Sequence, residues 1–156
     1  GMNLPMVQVA AGFSAIINGG TYYHPTVVNG VVDKEGAFKA QTRKVPRADI
    51  ISPATSADAK KRIHDARAAF YAGRDKPGYY IGGKTGTSQT LINGNYNNNQ
   101  TTATYLGFGG DDTPKYVIMV QVSGDNLTFA GNMAAMPIFT DISNWLIDYM
   151  KLAPKG

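Results

Sequence analysis

The stretch Gly78-Tyr79-Tyr80-Ile81-Gly82-Gly83-Lys84-Thr85-Gly86-Thr87-Ser88 constrains the fold more than any other part of the chain. Its glycines argue against a helix, since each costs about 1 kcal/mol relative to alanine in a helix interior. It carries two overlapping patterns. Read from Gly78 it is G-x-x-x-x-G-K-T, the form of a loop that cradles phosphates. Read from Lys84 it is K-T-G-T, which as a strand puts Thr85 and Thr87 on one face and Lys84 and Gly86 on the other.

The flanks decide between them. A phosphate loop follows a buried apolar strand, and a helix begins at its Lys-Thr. Here Arg74-Asp75-Lys76-Pro77 precedes Gly78 and reads as a turn, while Gly86 and Thr87 are poor helix residues. No apolar strand ending in aspartate follows to hold magnesium, because the run to Val122 ends in Gln-Val-Ser. The strand reading is preferred, and no nucleotide is expected. Two hydroxyls on one face, with an ammonium nearby, suit a carboxylate, and the backbone N–H of Thr87 suits a developing oxyanion.

Around this strand, hydrophobic spacing predicts helices over residues 5–17, 56–71 and 136–150. Pro5 suits a first turn, Asn18-Gly19-Gly20 a stop, and Ser56 an N-cap with Asp58 behind it. Residues 21–28 read as a strand, Asn29-Gly30 as a hairpin turn, and residues 33–52 as a weak strand and loop. Strands are predicted over 79–89, 101–108 and 116–122, with an Asn-rich loop at 92–100 and a solvated turn at Asp111-Asp112. Short connections make these three strands an antiparallel meander. Trp145 falls in the apolar stripe of the last helix and is expected in the core, and packing is the expected role of Tyr79 and Tyr80.

The chain has 156 residues, 43% apolar and 17% charged, enough for one domain with a core. The net charge of +4 is spread out, densest at Arg43-Lys44 to Arg47 and at Lys60-Lys61-Arg62. Neither cluster interleaves with aromatics, so nucleic acid is not an expected partner. Such a basic surface suits anionic cell-wall polymers. The absence of cysteine excludes disulfides and a thiolate nucleophile. His24 and His64 stand alone at non-ligand spacing, so neither a metal nor another cofactor is expected. No run is long and apolar enough to span a membrane, and Gly1-Met2 has the form of an expression remnant.

Three blocks together resemble the transpeptidase domain of penicillin-binding proteins, most closely the class B, high-molecular-mass type. Residues 4–23, from Leu4-Pro5-Met6-Val7-Gln8 to Asn18-Gly19-Gly20-Thr21-Tyr22-Tyr23, resemble that family's T-P-L-Q helix running into an A-N-G-G turn and a strand. Residues 78–89 resemble its G-K-T-G-T-x-Q strand. Thr104-Tyr105-Leu106-Gly107-Phe108 through Ala134-Ala135-Met136-Pro137-Ile138-Phe139 resemble its next two strands and final helix. The blocks keep the family's order over residues 4 to about 150.

The resemblance implies an α/β (α+β) fold with helices packed on an antiparallel sheet, as in penicillin-binding proteins and serine β-lactamases. It implies a serine-type D,D-transpeptidase that cross-links peptidoglycan stem peptides ending in D-Ala-D-Ala and is acylated by β-lactam antibiotics. Such a protein works at the extracytoplasmic face of the bacterial membrane, anchored there by a segment outside this soluble piece. By the same resemblance Lys84 is catalytic, and Thr85, Gly86 and Thr87 bind substrate. The family's nucleophile lies in S-x-x-K and a second element is S-x-N, and neither occurs here. Tyr96-Asn97-Asn98 follows K-T-G-T rather than preceding it and is read as chance. Residues 1–156 are therefore expected to be the C-terminal portion of the domain, with the remainder of that domain as a partner. The alternative is a non-catalytic module that senses β-lactams or muropeptides, and an S-x-x-K upstream would separate the two.

Overall fold

Alternation along residues 82–122 produces a three-stranded antiparallel sheet, and the helices are arranged on its faces. The computed structural model describes residues 4–125 and 127–155, without the side chains of Ala72, Ile92 and Asn98. The Gly1-Met2 pair lies outside the described residues, as does the side chain of Asn98 in the Tyr-Asn-Asn triplet. In chain order the elements are α1 (Met6–Ile17), β1 (Gly30–Val32), β2 (Phe38–Ala40), α2 (Pro53–Tyr71), a 3-10 turn (Ala72–Arg74), β3 (Gly82–Ile92), β4 (Asn95–Gly110), β5 (Pro114–Val122) and α3 (Ala135–Tyr149). The main sheet has the order β3-β4-β5, and β1-β2 form a separate hairpin.

The long β3–β4 hairpin corrects the expected Asn-rich loop. Asn93 and Gly94 take φ of 51° and 81°, the paired left-handed conformation of a two-residue turn. The ladder then runs from Ile92↔Asn95 and Leu91↔Tyr96 to Gly82↔Phe108, with one irregularity between Gln89 and Thr90. Asn-Gly is a strong hairpin signal, and here it overrides the low strand propensity of its asparagine neighbours.

Residues 21–32 also differ from expectation. Between Thr21 and Val28 the only pairing among the described residues is a bridge from Tyr22 to Arg47. Asn29-Gly30 is not the turn. The β1–β2 turn lies at Asp33–Gly36, where the Asp33 carboxylate accepts the N–H of Ala37 at 2.8 Å and Gly36 adopts φ 83°. Those bonds and the lysine beside it, Lys39 at 3.1 Å, hold the Asp33 carboxyl below its ordinary range.

Helix α2 begins earlier than expected. Pro53 is its first residue, a position where a missing N–H costs nothing, and the Ser52 hydroxyl accepts the Thr55 N–H at 3.1 Å. Ser56 is therefore not the cap. It is buried, and its Oγ accepts the Gly19 N–H at 2.9 Å, fixing the end of α1 to the start of α2.

The two faces of the sheet carry two cores. On one, α3 buries Ala135, Met136, Phe139 and Ile147 against Ile81, Tyr105 and Val120. On the other, Phe13 and Ile17 of α1 pack on Phe108, with Ile63 of α2 and Leu106 around them. Phe139 is fully buried, and a Cβ added at Gly107 would lie 2.6 Å from its ring, so Gly107 is the floor on which that ring sits. Phe139→Ala removes this contact at a cost of about 3–5 kcal/mol. Trp145 is not in the core. It is 58% exposed and stacks on Tyr149, ring centroids 4.8 Å apart, on the outward side of α3.

Candidate active-site strand

β3 is an edge strand, and only part of its outer edge is covered. At its start, His64 of α2 donates from Nδ1 to the Ile81 carbonyl at 2.7 Å. Its ring stacks on Tyr80 at 3.7 Å. A Cβ at Gly82 would lie 3.1 Å from the His64 backbone nitrogen, so the helix closes directly over this end of the strand. Tyr80 is thereby a packing residue, its hydroxyl pushed up by burial. Tyr79 packs too, its hydroxyl donating to the Leu152 carbonyl at 2.8 Å. From Lys84 onward the outer edge has no strand partner among the described residues.

The sequence-predicted residues sit at that opening. Lys84 is exposed, and its ammonium turns back around the edge to the Thr85 carbonyl at 2.8 Å and the Thr85 hydroxyl at 3.4 Å. Thr85 is half-buried and pairs with Tyr105. Thr87 is exposed, and its Oγ1 accepts the Gly131 N–H at 3.0 Å. Each threonine oxygen thus accepts a hydrogen bond from nitrogen and keeps its own proton to donate. That is the polarity a carboxylate needs.

A glycine inside a strand can mark the close approach of another element. A Cβ at Gly86 would lie 2.3 Å from the Thr104 hydroxyl, so the vacant space belongs to the neighbouring strand. The element that approaches is the turn before α3, and it approaches through Gly131. A Cβ at Gly131 would lie 2.5 Å from the Thr104 carbonyl oxygen and 2.6 Å from that of Gly86.

Lys84, Thr85 and Gly86 form one wall of an open trough of about 390 Å³, faced by Val9, Phe13 and Ile16 of α1 and Ile63 of α2. A smaller hollow of about 200 Å³ lies where Gly83–Thr85 meet Ala66, Phe70 and Tyr71. Lys84 and Thr85 lie within β3 and not at the start of a helix, so the phosphate-loop arrangement is not formed there. Among the described residues no group of three or more His, Cys, Asp or Glu is placed to hold a metal ion, and no helix is long and apolar enough to cross a membrane.

One residue that supports the strand was missed in the sequence. Arg67 is fully buried beside the smaller hollow. It donates to both Asp75 oxygens at 2.8 and 2.5 Å, to the Tyr105 hydroxyl at 2.7 Å and to Thr140 at 2.9 Å. Burial works against its charge, but the Asp75 and Tyr105 bonds more than offset this and hold the guanidinium above its ordinary value. Tyr105 lies under the motif, since a Cβ at Gly83 would be 2.4 Å from its ring. One side chain therefore ties α2, the turn entering β3, the strand beneath Thr85 and α3 into a single support. The available signal was Arg67 four residues after Ile63, on the apolar stripe of α2.

Comparison with known proteins agrees with this geometry. The family described as the penicillin binding protein transpeptidase domain matches residues 1–144. Stage V sporulation protein D of Bacillus subtilis is 30% identical over 161 residues, which are 99% of this chain and 24% of that protein. The probable peptidoglycan D,D-transpeptidase PenA of Neisseria flavescens is 24% identical, over 99% of this chain and 36% of its own length. Penicillin binding protein 3 of Mycobacterium tuberculosis, complexed with aztreonam, superposes with a TM-score of 0.84 at 23% identity, covering all of this chain and 37% of that one. The chain thus spans about a quarter to a third of the curated relatives it matches. With residues 1–144 matched, the chain belongs to the penicillin-binding-protein transpeptidase domain family.

Proposed function

We propose that residues 1–156 are the C-terminal portion of a peptidoglycan D,D-transpeptidase domain and supply the substrate-binding wall of its active site. The observation that carries this reading is the opening of the β3 edge at Lys84, beside an apolar trough. An extended D-Ala-D-Ala stem peptide, or a β-lactam in its place, lies along that edge and satisfies its free backbone groups. Its terminal carboxylate accepts from the Thr85 and Thr87 hydroxyls, and the Lys84 ammonium draws it in. The Thr87 N–H is the donor this reading assigns to an oxyanion. Gly86, between the two threonines, has no side chain to crowd the ligand.

The attacking serine belongs to the remainder of the domain, which is this chain's partner and closes the far side of the trough. The exposed Leu4, Met6, Val7 and Ile16 of the α1 region support that, being apolar side chains without a partner here. The family's work in cell-wall synthesis supports a location at the extracytoplasmic face of the bacterial membrane.

The test is acylation by a fluorescent penicillin. In the complete protein Lys84→Ala should slow acylation about 10²-fold or more, the loss typical of one transition-state electrostatic contact. Ser88→Ala, which by strand alternation points away from the threonines, should leave the rate unchanged. Wild-type rates for Lys84→Ala would sink the assignment. The present chain alone should form no adduct that survives denaturing electrophoresis, because it holds no Ser-x-x-Lys.

A further inference from the structure

The ladder between residues 22 and 47 opens in its middle. At one end Tyr22 and Arg47 exchange backbone bonds of 2.8 and 2.9 Å. At the other, Gln41 donates to the Asn29 carbonyl at 2.9 Å, where the β1–β2 hairpin begins. Between these ties, residues 23–28 and 42–46 make no cross-chain backbone bond among the described residues. The legs splay around a hollow of about 300 Å³, floored by Gln8 of α1 and walled by Tyr22, His24, Gln41, Arg43 and Lys44. It is separate from the trough, which uses Val9, Phe13 and Ile16 of the same helix.

Three features of the hollow converge. Its cations are uncommitted: among the described residues Arg43 donates to the Asn29 side-chain oxygen at 3.0 Å, and no carboxylate pairs with Arg43 or Lys44. Two aromatic rings, Tyr22 and His24, meet edge to face at 5.3 Å and offer an apolar wall. Two glutamine amides and the unpaired legs supply donors and acceptors together.

We propose that this hollow binds a carboxylate-bearing saccharide. The guanidinium and ammonium take the carboxylate. The rings cover a sugar's C–H face, and the amides and free backbone groups take hydroxyl or acetamido substituents. The volume is at the lower end for small-molecule sites and suits one or two rings. Inorganic phosphate would leave the rings and amides unused. An acidic peptide would seek a continuous strand edge, which splayed legs do not offer. The inference does not depend on the role of the K-T-G-T strand.

The test is a titration of the full ¹⁵N-labelled chain with a glucuronate–N-acetylglucosamine tetrasaccharide, followed by NMR and calorimetry. Saturable shifts are expected at Gln8, 22–26 and 41–44. Arg43→Gln with Lys44→Gln should weaken binding about tenfold or more, as expected for lost bonds to a charged group. Both residues are exposed, so the variant should unfold at the parent's urea midpoint. Neutral N-acetylglucosamine tetramer should bind about as weakly to the parent, and Lys84→Ala should bind the acidic sugar as the parent does. The proposal is overturned by absent or unsaturable shifts, by shifts centred on β3, or by a double variant that binds as the parent does. An equal response to inorganic phosphate or to tetraglutamate also overturns it, the former making the hollow a general anion site and the latter a peptide site.

Discussion

The Thr87 hydroxyl does two things at once. It accepts the Gly131 N–H and still has a proton to offer a ligand. Replacing it with valine keeps the shape but orphans a part-buried N–H, so Thr87→Val should destabilise the fold by about 1–3 kcal/mol in urea. Thr87→Ser keeps the oxygen and should stay near the parent. Equal stability of valine and serine variants would show that the Gly131 bond contributes nothing. Motif and alternation singled this residue out in the sequence and put it on one face of the strand with Thr85. Its structural duty was not legible there, because Gly131 is 44 residues away along the chain.

At the level of elements, Arg67 and Gly131 hold β3 from below and from the side. Arg67→Met should cost about 3–5 kcal/mol, since it leaves the largely buried Asp75 carboxylate without its partner. Removing both in Arg67→Met with Asp75→Leu should cost less than the two single losses added, read as a coupling energy in a double-mutant cycle. Additive losses would mean that the pair does not act as a unit. Gly131→Ala should displace the turn from the sheet, at about 1–3 kcal/mol for overpacking against backbone that cannot give way. Element positions were legible where apolar spacing was long, as in α1, α3 and β5. The two Asn-Gly pairs show why the rest was not. Asn93-Gly94 turns because Leu91 and Tyr96 on either side can pair, extending an existing ladder. Asn29-Gly30 does not, because the Asp33 carboxylate and Gly36 build a better turn a few residues later. The same dipeptide is read differently according to partners that local sequence does not reveal. Trp145 fell the other way: its helical spacing was right, but the stripe is wider than the sheet can cover.

For the whole molecule, the α/β (α+β) layering follows from one sheet with an apolar stripe laid on each face. Alkaline pH tests how firmly those faces hold. Burial raises the hydroxyls of Tyr105 and Tyr116 above their ordinary value, the first partly held back by Arg67 and the second by Ser143. In the unfolded chain they ionise near pH 10. Their contribution is therefore complete below about pH 10, and stability should fall as pH rises through the folded-state values. The slope should reach at most about 1.4 kcal/mol per pH unit for each tyrosine. Tyr116→Phe should start from a lower stability, having lost its bonds to Ser143, and then decline less steeply. Urea midpoints measured from pH 8 to 11 check this, and an unchanged slope would refute it.

The open outer edge of β3 has a cost in solution. A strand edge without a strand partner is a template that any extended chain can read, including another copy of this one. Along this edge the chain presents an ammonium at Lys84 and polar side chains at Thr87, Ser88 and Gln89, with no bulky apolar residue before Leu91. The same positive charge that draws in a carboxylate repels a second identical edge. Neutralising Lys84 should therefore do more than slow a reaction: at high protein concentration it should promote edge-to-edge association, lowering solubility in a protein whose individual fold is intact.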